Sequence, residues 1–246
     1  MRYLSFAMLS TFAIGAAFAA VSIHAGPGKS GPSPNRPVLV ELFTSQGCSS
    51  CPPADQLLEK LDGEGGVVAI SRPVTYWDRL GWKDTLARPA NDGLQRRYAA
   101  RGLPGSGVYT PEAVVQGRAA TVGSDERDLH RLIASAARDA SPVEIVRSGD
   151  RVAASRAQAG VELRFLAIAR RASVAVGSGE NSARRLTYSN VVLDEMVVPC
   201  AGDAPCTAAI PDGIADRRGA DRWAAVLQDR EGGTVRAVRW IGRTAK

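Results

Sequence analysis

The sequence predicts an α/β domain over residues 37–140, followed by a β-rich region over residues 141–246. The α/β prediction rests on two apolar, β-prone segments, 38–43 and 67–71, with a helix predicted between them. A strand–helix–strand start of this kind favours two parallel strands joined by a right-handed crossover. The β-rich prediction rests on short alternating apolar segments that follow residue 142 and are separated by Gly, Asp and Ser turns. One arrangement expected for this second region is a β-sandwich.

The first 25 residues have the composition of a secretory signal peptide. Arg2 is followed by an apolar stretch rich in Ala, Leu, Phe and Ile, and small residues at 17–19 and 23–25 offer cleavage positions. The alternative is an uncleaved membrane anchor, because the stretch is long enough to span a bilayer. Residues 26–36 have the composition of a disordered linker. We therefore expect a periplasmic or secreted protein that contacts a membrane only if this N-terminal segment is retained.

Charge and cysteine content limit the classes of partner. The formal net charge is +6, and the basic residues are scattered as pairs without interleaved aromatics. This pattern argues against a nucleic-acid partner and favours a solvated basic surface. In an exported chain, four cysteines indicate two disulfides more often than a zinc site. Cys200 and Cys206 lie in a Gly- and Pro-containing loop and are predicted to form a structural disulfide. With His24 in the predicted signal peptide and only His130 beyond it, no metal site is expected.

Cys48 and Cys51 are the residues that carry the predicted chemistry. They lie where the strand 38–43 gives way, through a Ser-Gln-Gly turn, to a helix. The unpaired N–H groups and the dipole at a helix N-terminus stabilise a thiolate and lower its pKa. Cys48 is therefore predicted to be the attacking thiol and Cys51, one turn further in, the resolving thiol. The intervening Ser49 and Ser50 add no positive charge, so the stabilisation expected from them is modest.

The order strand, Cys-x-x-Cys-Pro, helix resembles the thioredoxin-like superfamily. More narrowly, Glu-Leu-Phe-Thr-Ser-Gln-Gly-Cys-Ser-Ser-Cys-Pro-Pro-Ala-Asp at 41–55 is similar to an uncharacterised family of bacterial secreted thioredoxin-like proteins. The later segments Tyr76-Trp77-Asp78 and Gly81-Trp82-Lys83-Asp84 support that similarity. The family is catalogued as a domain of unknown function. The resemblance implies a thioredoxin-like α/β/α sandwich over residues 37–140 and a chemical class, but no established substrate.

The resemblance also implies further site residues. Thioredoxin-like proteins carry a Thr/Val/Ile-Pro pair, cis at its peptide bond, that opens a core strand and faces the dithiol. Thr110-Pro111 matches this pair by order and flanking sequence, which implies that Thr110 pairs with a bound substrate strand and that Pro111 helps to exclude metal. Without the resemblance, Pro111 is a turn residue. Glu41 lies on the strand where thioredoxins carry a buried Asp that accepts the inner cysteine's proton; its alternative is a strand-end charge facing solvent.

Two tryptophans lie close to the dithiol in sequence. Trp77 and Trp82 are predicted either to wall a groove beside Cys48 that accepts an extended polypeptide, or to cover the sheet edge as a packed loop. Further along, residues 177–186 lack the ending of a phosphate-binding loop, and a long hairpin loop that could reach the dithiol groove is expected instead.

These observations favour an exported thiol–disulfide oxidoreductase that acts on protein or small-molecule thiols and disulfides. The dithiol carries the electrons itself, so no cofactor is expected. The alternative is a non-catalytic binding or structural protein that keeps the fold and a permanently closed disulfide. A weaker third hypothesis is metal capture by the reduced pair. Sequence leaves the direction of electron flow open.

Overall fold

The computed structural model describes residues 31–155, 160–201 and 205–242. The predicted signal peptide, 1–25, and the first part of the predicted linker lie outside the described residues. Among the described residues, no helix has both the length and the apolar character needed to cross a membrane.

The described strands are, in chain order, β1 (Val38–Thr44), β2 (Val67–Pro73), β3 (Glu112–Val115), β4 (Ala119–Val122), β5 (Ile145–Ser148), β6 (Arg151–Ala154), β7 (Val161–Ala175), β8 (Arg185–Pro199), β9 (Cys206–Ala209), β10 (Arg222–Asp229) and β11 (Val235–Ile241). The described helices are α1 (Pro52–Asp62), α2 (Pro89–Ala100), α3 (Glu126–Arg138) and the short α4 (Asp212–Ala215). A 3-10 turn at Asp78–Leu80 lies between Trp77 and Trp82.

The predicted α/β class is confirmed, and the first strand lies inside the main sheet. β1 pairs in parallel with β2 and antiparallel with β3, so both of its edges are occupied. Its even-numbered apolar residues, such as Val40 and Leu42, pack under α1 and α3. The opposite face, which includes Phe43, packs against Tyr98 of α2. Helices on both faces explain why all of β1 is buried and why its sequence lacks polar alternation.

The region after residue 140 is β-rich, but most of it does not form a sheet of its own. Within the described residues, one eight-stranded sheet runs in the order β11-β10-β7-β8-β2-β1-β3-β4. The N-terminal and C-terminal strands of this sheet meet where β2 pairs in parallel with β8, at Ser71 opposite Val191. The expected sandwich forms only locally: β5, β6 and β9 make a small second sheet whose Ile145 and Val152 pack on Phe165 and Leu227 of the large sheet. The larger sheet is therefore shared by the two halves of the chain.

A buried network of charges holds the C-terminal strands against the N-terminal core. Arg72 on β2 contacts Glu41 on β1 at 2.6 Å and Glu195 on β8 at 2.8 Å. Arg164 on β7 contacts the same Glu195 at 2.6 Å. Two arginines beside Glu195 hold the pKa of its carboxyl well below the ordinary range, against the opposing effect of burial. Tyr98 completes the network by donating to Glu41. Buried charges of this kind are tolerated because each is paired.

Candidate dithiol site

The two cysteines of the Cys-x-x-Cys motif are joined as a disulfide at the start of α1. Cys51 is the N-cap of the helix, Pro52 and Pro53 form its first turn, and Cys48 lies in the turn that precedes it. Proline is accommodated there because the first N–H groups of a helix have no partner within it. Both cysteines are fully buried, although Ser49 and Ser50 between them are exposed. The hydroxyl oxygen of Ser50 lies 3.4 Å from Cys48 Sγ.

The long β7–β8 hairpin ends beside this motif. Residues 176–184, here called the hairpin tip, join two strands of 15 residues each. Asn181 in the tip is fully buried, and its side-chain amide donates to the carbonyl oxygens of Gln46 at 3.0 Å and Cys48 at 2.9 Å. Glu180 accepts a hydrogen bond from the backbone N–H of Ser49 at 3.0 Å. The side-chain hydroxyl and the backbone N–H of Ser49 together lower the pKa of the Glu180 carboxyl. The tip is therefore held against the backbone of the turn that carries Cys48.

The predicted aromatic residues lie on either side of the turn before Cys48. The Trp82 indole N–H donates to the Gln46 side chain at 2.9 Å, and a Cβ added to Gly177 of the hairpin tip would come within 2.9 Å of the Trp82 ring. The Trp77 indole N–H donates to the Thr110 hydroxyl at 2.8 Å. Both tryptophans are half-buried, so each combines packing with a face towards solvent. Trp82 lies between the motif and the tip.

The Thr110–Pro111 peptide bond is cis, as the family resemblance implied. Pro111 directly precedes β3 and faces α1, because a Cβ added to Gly123 would lie 3.3 Å from Pro111 Cβ and 3.2 Å from Ala54 Cβ. Thr110, Pro111 and Trp77 thus lie at the same end of the sheet as the dithiol.

Glu41, the predicted proton acceptor, does not lie beside the cysteines. It is fully buried, so the alternative of a strand-end charge facing solvent is wrong. Its side chain points to the face of β1 that α2 covers, whereas the cysteines begin α1 on the opposite face. Its carboxylate is occupied by Arg72 and by the hydroxyl of Tyr98. Strand alternation explains the outcome, since a side chain on β1 reaches one face of the sheet only.

A different carboxyl lies next to the motif. Asp55 on α1 is 5% exposed, and burial raises its pKa to about 8, with Thr44 opposing the effect and the charge of Asp84 adding to it. One carboxylate oxygen of Asp55 and the hydroxyls of Thr44 and Tyr188 make no hydrogen bond within the described residues. The burial of Asp55 could be predicted from helical spacing, because position 55 falls between Ala54 and Leu58 on the apolar face of the same helix.

The second predicted disulfide, Cys200–Cys206, is present. Both of its cysteines belong to the apolar core between the two sheets. Among the described residues, no group of three or more His, Cys, Asp or Glu side chains is arranged to hold a metal ion.

Comparison with known proteins gives a family and a fold. The model of the family described as "Protein of unknown function (DUF1223)" matches residues 39–228. The crystal structure of protein AGR_C_4864 from Agrobacterium tumefaciens is similar at 30% identity and a TM-score of 0.70, over 87% of this chain and 96% of that one. HBP35 of Porphyromonas gingivalis has a similar fold, with a TM-score of 0.54 at 14% identity, over 88% of this chain and 79% of that one. No curated protein matches the chain in sequence.

Proposed function

The chain belongs to the DUF1223 family, and we propose that it is an exported thiol–disulfide oxidoreductase with a thioredoxin-like N-terminal half. The observation that carries this proposal is the Cys48–Cys51 disulfide at the N-terminus of α1. A helix N-terminus stabilises the thiolate that forms when such a disulfide opens. The Ser50 hydroxyl, 3.4 Å from Cys48 Sγ, can donate a further hydrogen bond to that thiolate.

The reaction needs only the two cysteines and a disulfide substrate. In the reduced protein the Cys48 thiolate attacks one sulfur of the substrate disulfide, forms a mixed disulfide and releases the first substrate thiol. Cys51 then attacks Cys48 Sγ, the bond between Cys48 and the substrate breaks, and the second thiol leaves. Two electrons pass from the protein to the substrate, and the reverse sequence oxidises a dithiol. The thiol or disulfide partner is a protein or a small molecule.

Cys48 has no exposed surface, so substrate access requires a movement, which we assign to the hairpin tip. The contacts that hold the tip include three hydrogen bonds to the turn that carries Cys48, two from Asn181 and one to Glu180. A further hydrogen bond runs from the Ser178 hydroxyl to the carbonyl oxygen of Gly81, and Val176 packs in the same cluster as Trp82. Hydrogen bonds contribute about 1 kcal/mol each. An extended substrate would then lie between Trp82 and Thr110, whose backbone is available to pair with it.

The burial of both sulfurs also favours a second candidate, a binding or structural protein whose disulfide stays closed. The redox equilibrium of the Cys48–Cys51 pair with glutathione separates the two. The variant Cys48→Ser shows which signal belongs to this pair, and the double variant Cys200→Ser/Cys206→Ser is the matched control that removes the other disulfide. A potential in the range of exchange enzymes, about −270 to −120 mV, supports catalysis. A potential below about −300 mV makes the disulfide structural and refutes the proposal.

A further inference from the structure

Asp55 occupies the position on α1 one turn after Cys51. The backbone N–H of Asp55 bonds to the carbonyl oxygen of Cys51 at 3.1 Å, and Cys51 has helical backbone angles. Side chains four residues apart on a helix share one face, with their Cβ atoms about 5–6 Å apart. The carboxyl of Asp55 and the sulfur of Cys51 are therefore neighbours on the buried side of α1.

No positive charge is paired with Asp55 among the described residues. Within the described residues it has no ion pair, and its Oδ1 atom has no hydrogen-bond partner although the side chain is 5% exposed. The polar groups that face it are the hydroxyls of Thr44 and Tyr188 and the carboxylate of Asp84. A buried carboxyl that serves only the fold is normally paired. This one is not, which is the arrangement expected of a group that exchanges a proton.

A path to solvent lies beside it. A cleft of about 250 Å³ runs between α1 and the start of β8, and its lining includes Asp55, Pro52, Glu59, Arg184 and Arg185. The two arginines are exposed at its mouth, and Glu59 is directed towards Arg171 on β7. A proton taken up by Asp55 can leave through this cleft.

We propose that Asp55 is the proton acceptor and donor for Cys51, a role that rests on the proposed oxidoreductase function. When the mixed disulfide on Cys48 is resolved, the Cys51 thiol gives its proton to the Asp55 carboxylate. The Cys51 thiolate forms the bond to Cys48 Sγ, the bond from Cys48 to the substrate sulfur breaks, and the electron pair leaves on the substrate thiolate. In the opposite direction, protonated Asp55 returns the proton to Cys51 as the disulfide opens.

The test is the reaction of the full, reduced protein with an aromatic disulfide such as 5,5′-dithiobis(2-nitrobenzoate). Attack by Cys48 releases one coloured thiolate and resolution by Cys51 releases a second, so the two steps are seen as two phases. In Asp55→Asn we expect the second phase to slow about 100-fold, as is typical of losing a general base. The first phase should stay within about twofold of wild type. Glu126→Gln, which removes an exposed carboxylate from α3, away from this cleft, should change neither phase.

The pH profile separates proton transfer from a structural effect. In the wild-type protein the second phase should accelerate as pH rises through the titration of Asp55, and Asp55→Asn should lose this dependence. Equal slowing of both phases, or a second phase that Asp55→Asn leaves unchanged, overturns the role of Asp55 while leaving the function intact. Absence of the first phase from the wild-type protein refutes the oxidoreductase function itself, and this role with it.

Discussion

Replacing Asp55 by asparagine should stabilise the oxidised protein at alkaline pH and have little effect at acid pH. Burial raises the pKa of this carboxyl from 3.8 to about 8 in the folded protein. Between these values the folded state holds a proton that the unfolded state has lost, so the stability contributed by protonated Asp55 falls as pH rises. Asparagine has a similar shape and never ionises. The variant therefore escapes this loss, and its advantage over wild type grows with pH.

The size of the effect follows from the two pKa values. Each pH unit between them corresponds to about 1.36 kcal/mol, which gives an upper limit of about 6 kcal/mol at pH 9. Water entering the cleft beside Asp55 reduces the cost of ionisation, so we expect a gain of about 2–5 kcal/mol for Asp55→Asn at pH 9. At pH 4, which is only just above the pKa of 3.8 in the unfolded state, little of this difference has developed, and the two proteins should differ by less than about 1 kcal/mol.

Urea unfolding of the oxidised proteins at pH 4 and pH 9 measures this difference directly. Glu59→Gln is the control for the loss of one charge, and it should show no comparable growth of stability with pH, because Glu59 and its partner Arg171 are both largely exposed. The reasoning is refuted if Asp55→Asn has the same effect on stability at both pH values. A loss of stability at pH 9 would mean that the ionised carboxylate is stabilised in the fold.

Three further predictions follow from contacts of the hairpin and the ion network. Asn181→Ala removes both hydrogen bonds that its side-chain amide donates to the turn before the motif. Alkylation of Cys48 in the reduced protein should therefore accelerate about 10-fold or more. Ser182→Ala is the control, and equal alkylation rates in Asn181→Ala and wild type would show that these hydrogen bonds do not restrict access. Glu195→Gln removes the carboxylate that pairs with both buried arginines, Arg72 and Arg164. It should lower the free energy of unfolding in urea by about 3–5 kcal/mol, and a loss below about 1 kcal/mol would contradict a stabilising network. A chain ending at residue 140 loses β8 from the edge of β2 and should show no cooperative thermal unfolding by circular dichroism; a sharp transition would establish an independent domain.

The elements that sequence predicted well are those specified by local signals. β1 and α1 are an apolar β-prone segment followed by a helix with prolines in its first turn, and the structure has both. The cis bond at Thr110–Pro111 was expected from the family resemblance and not from a local signal, because the sequence around Pro111 indicates only a turn.

The features that sequence missed depend on contacts between distant segments. Alternation in β7 and β8 indicates strands but does not indicate their neighbours, so the continuation of the N-terminal sheet through β8 was not foreseen. The partner of Glu41, Arg72, lies on another strand, and no local pattern links the two. Asp55 is a different case, because its spacing from Ala54 and Leu58 places it on the buried face of α1, whereas the resemblance implies a buried acid on β1.

The parallel pairing of β2 with β8 affects the rate and yield of folding. The strands that meet there come from opposite halves of the sequence, and the pairing is parallel, so no hairpin can align them. Contacts of high sequence separation form late, because a large loop must close before they stabilise anything. Until β8 has paired with β2, the free edge of β2 can pair with a strand of another molecule. Refolding should therefore be slow, and its yield should fall as protein concentration rises.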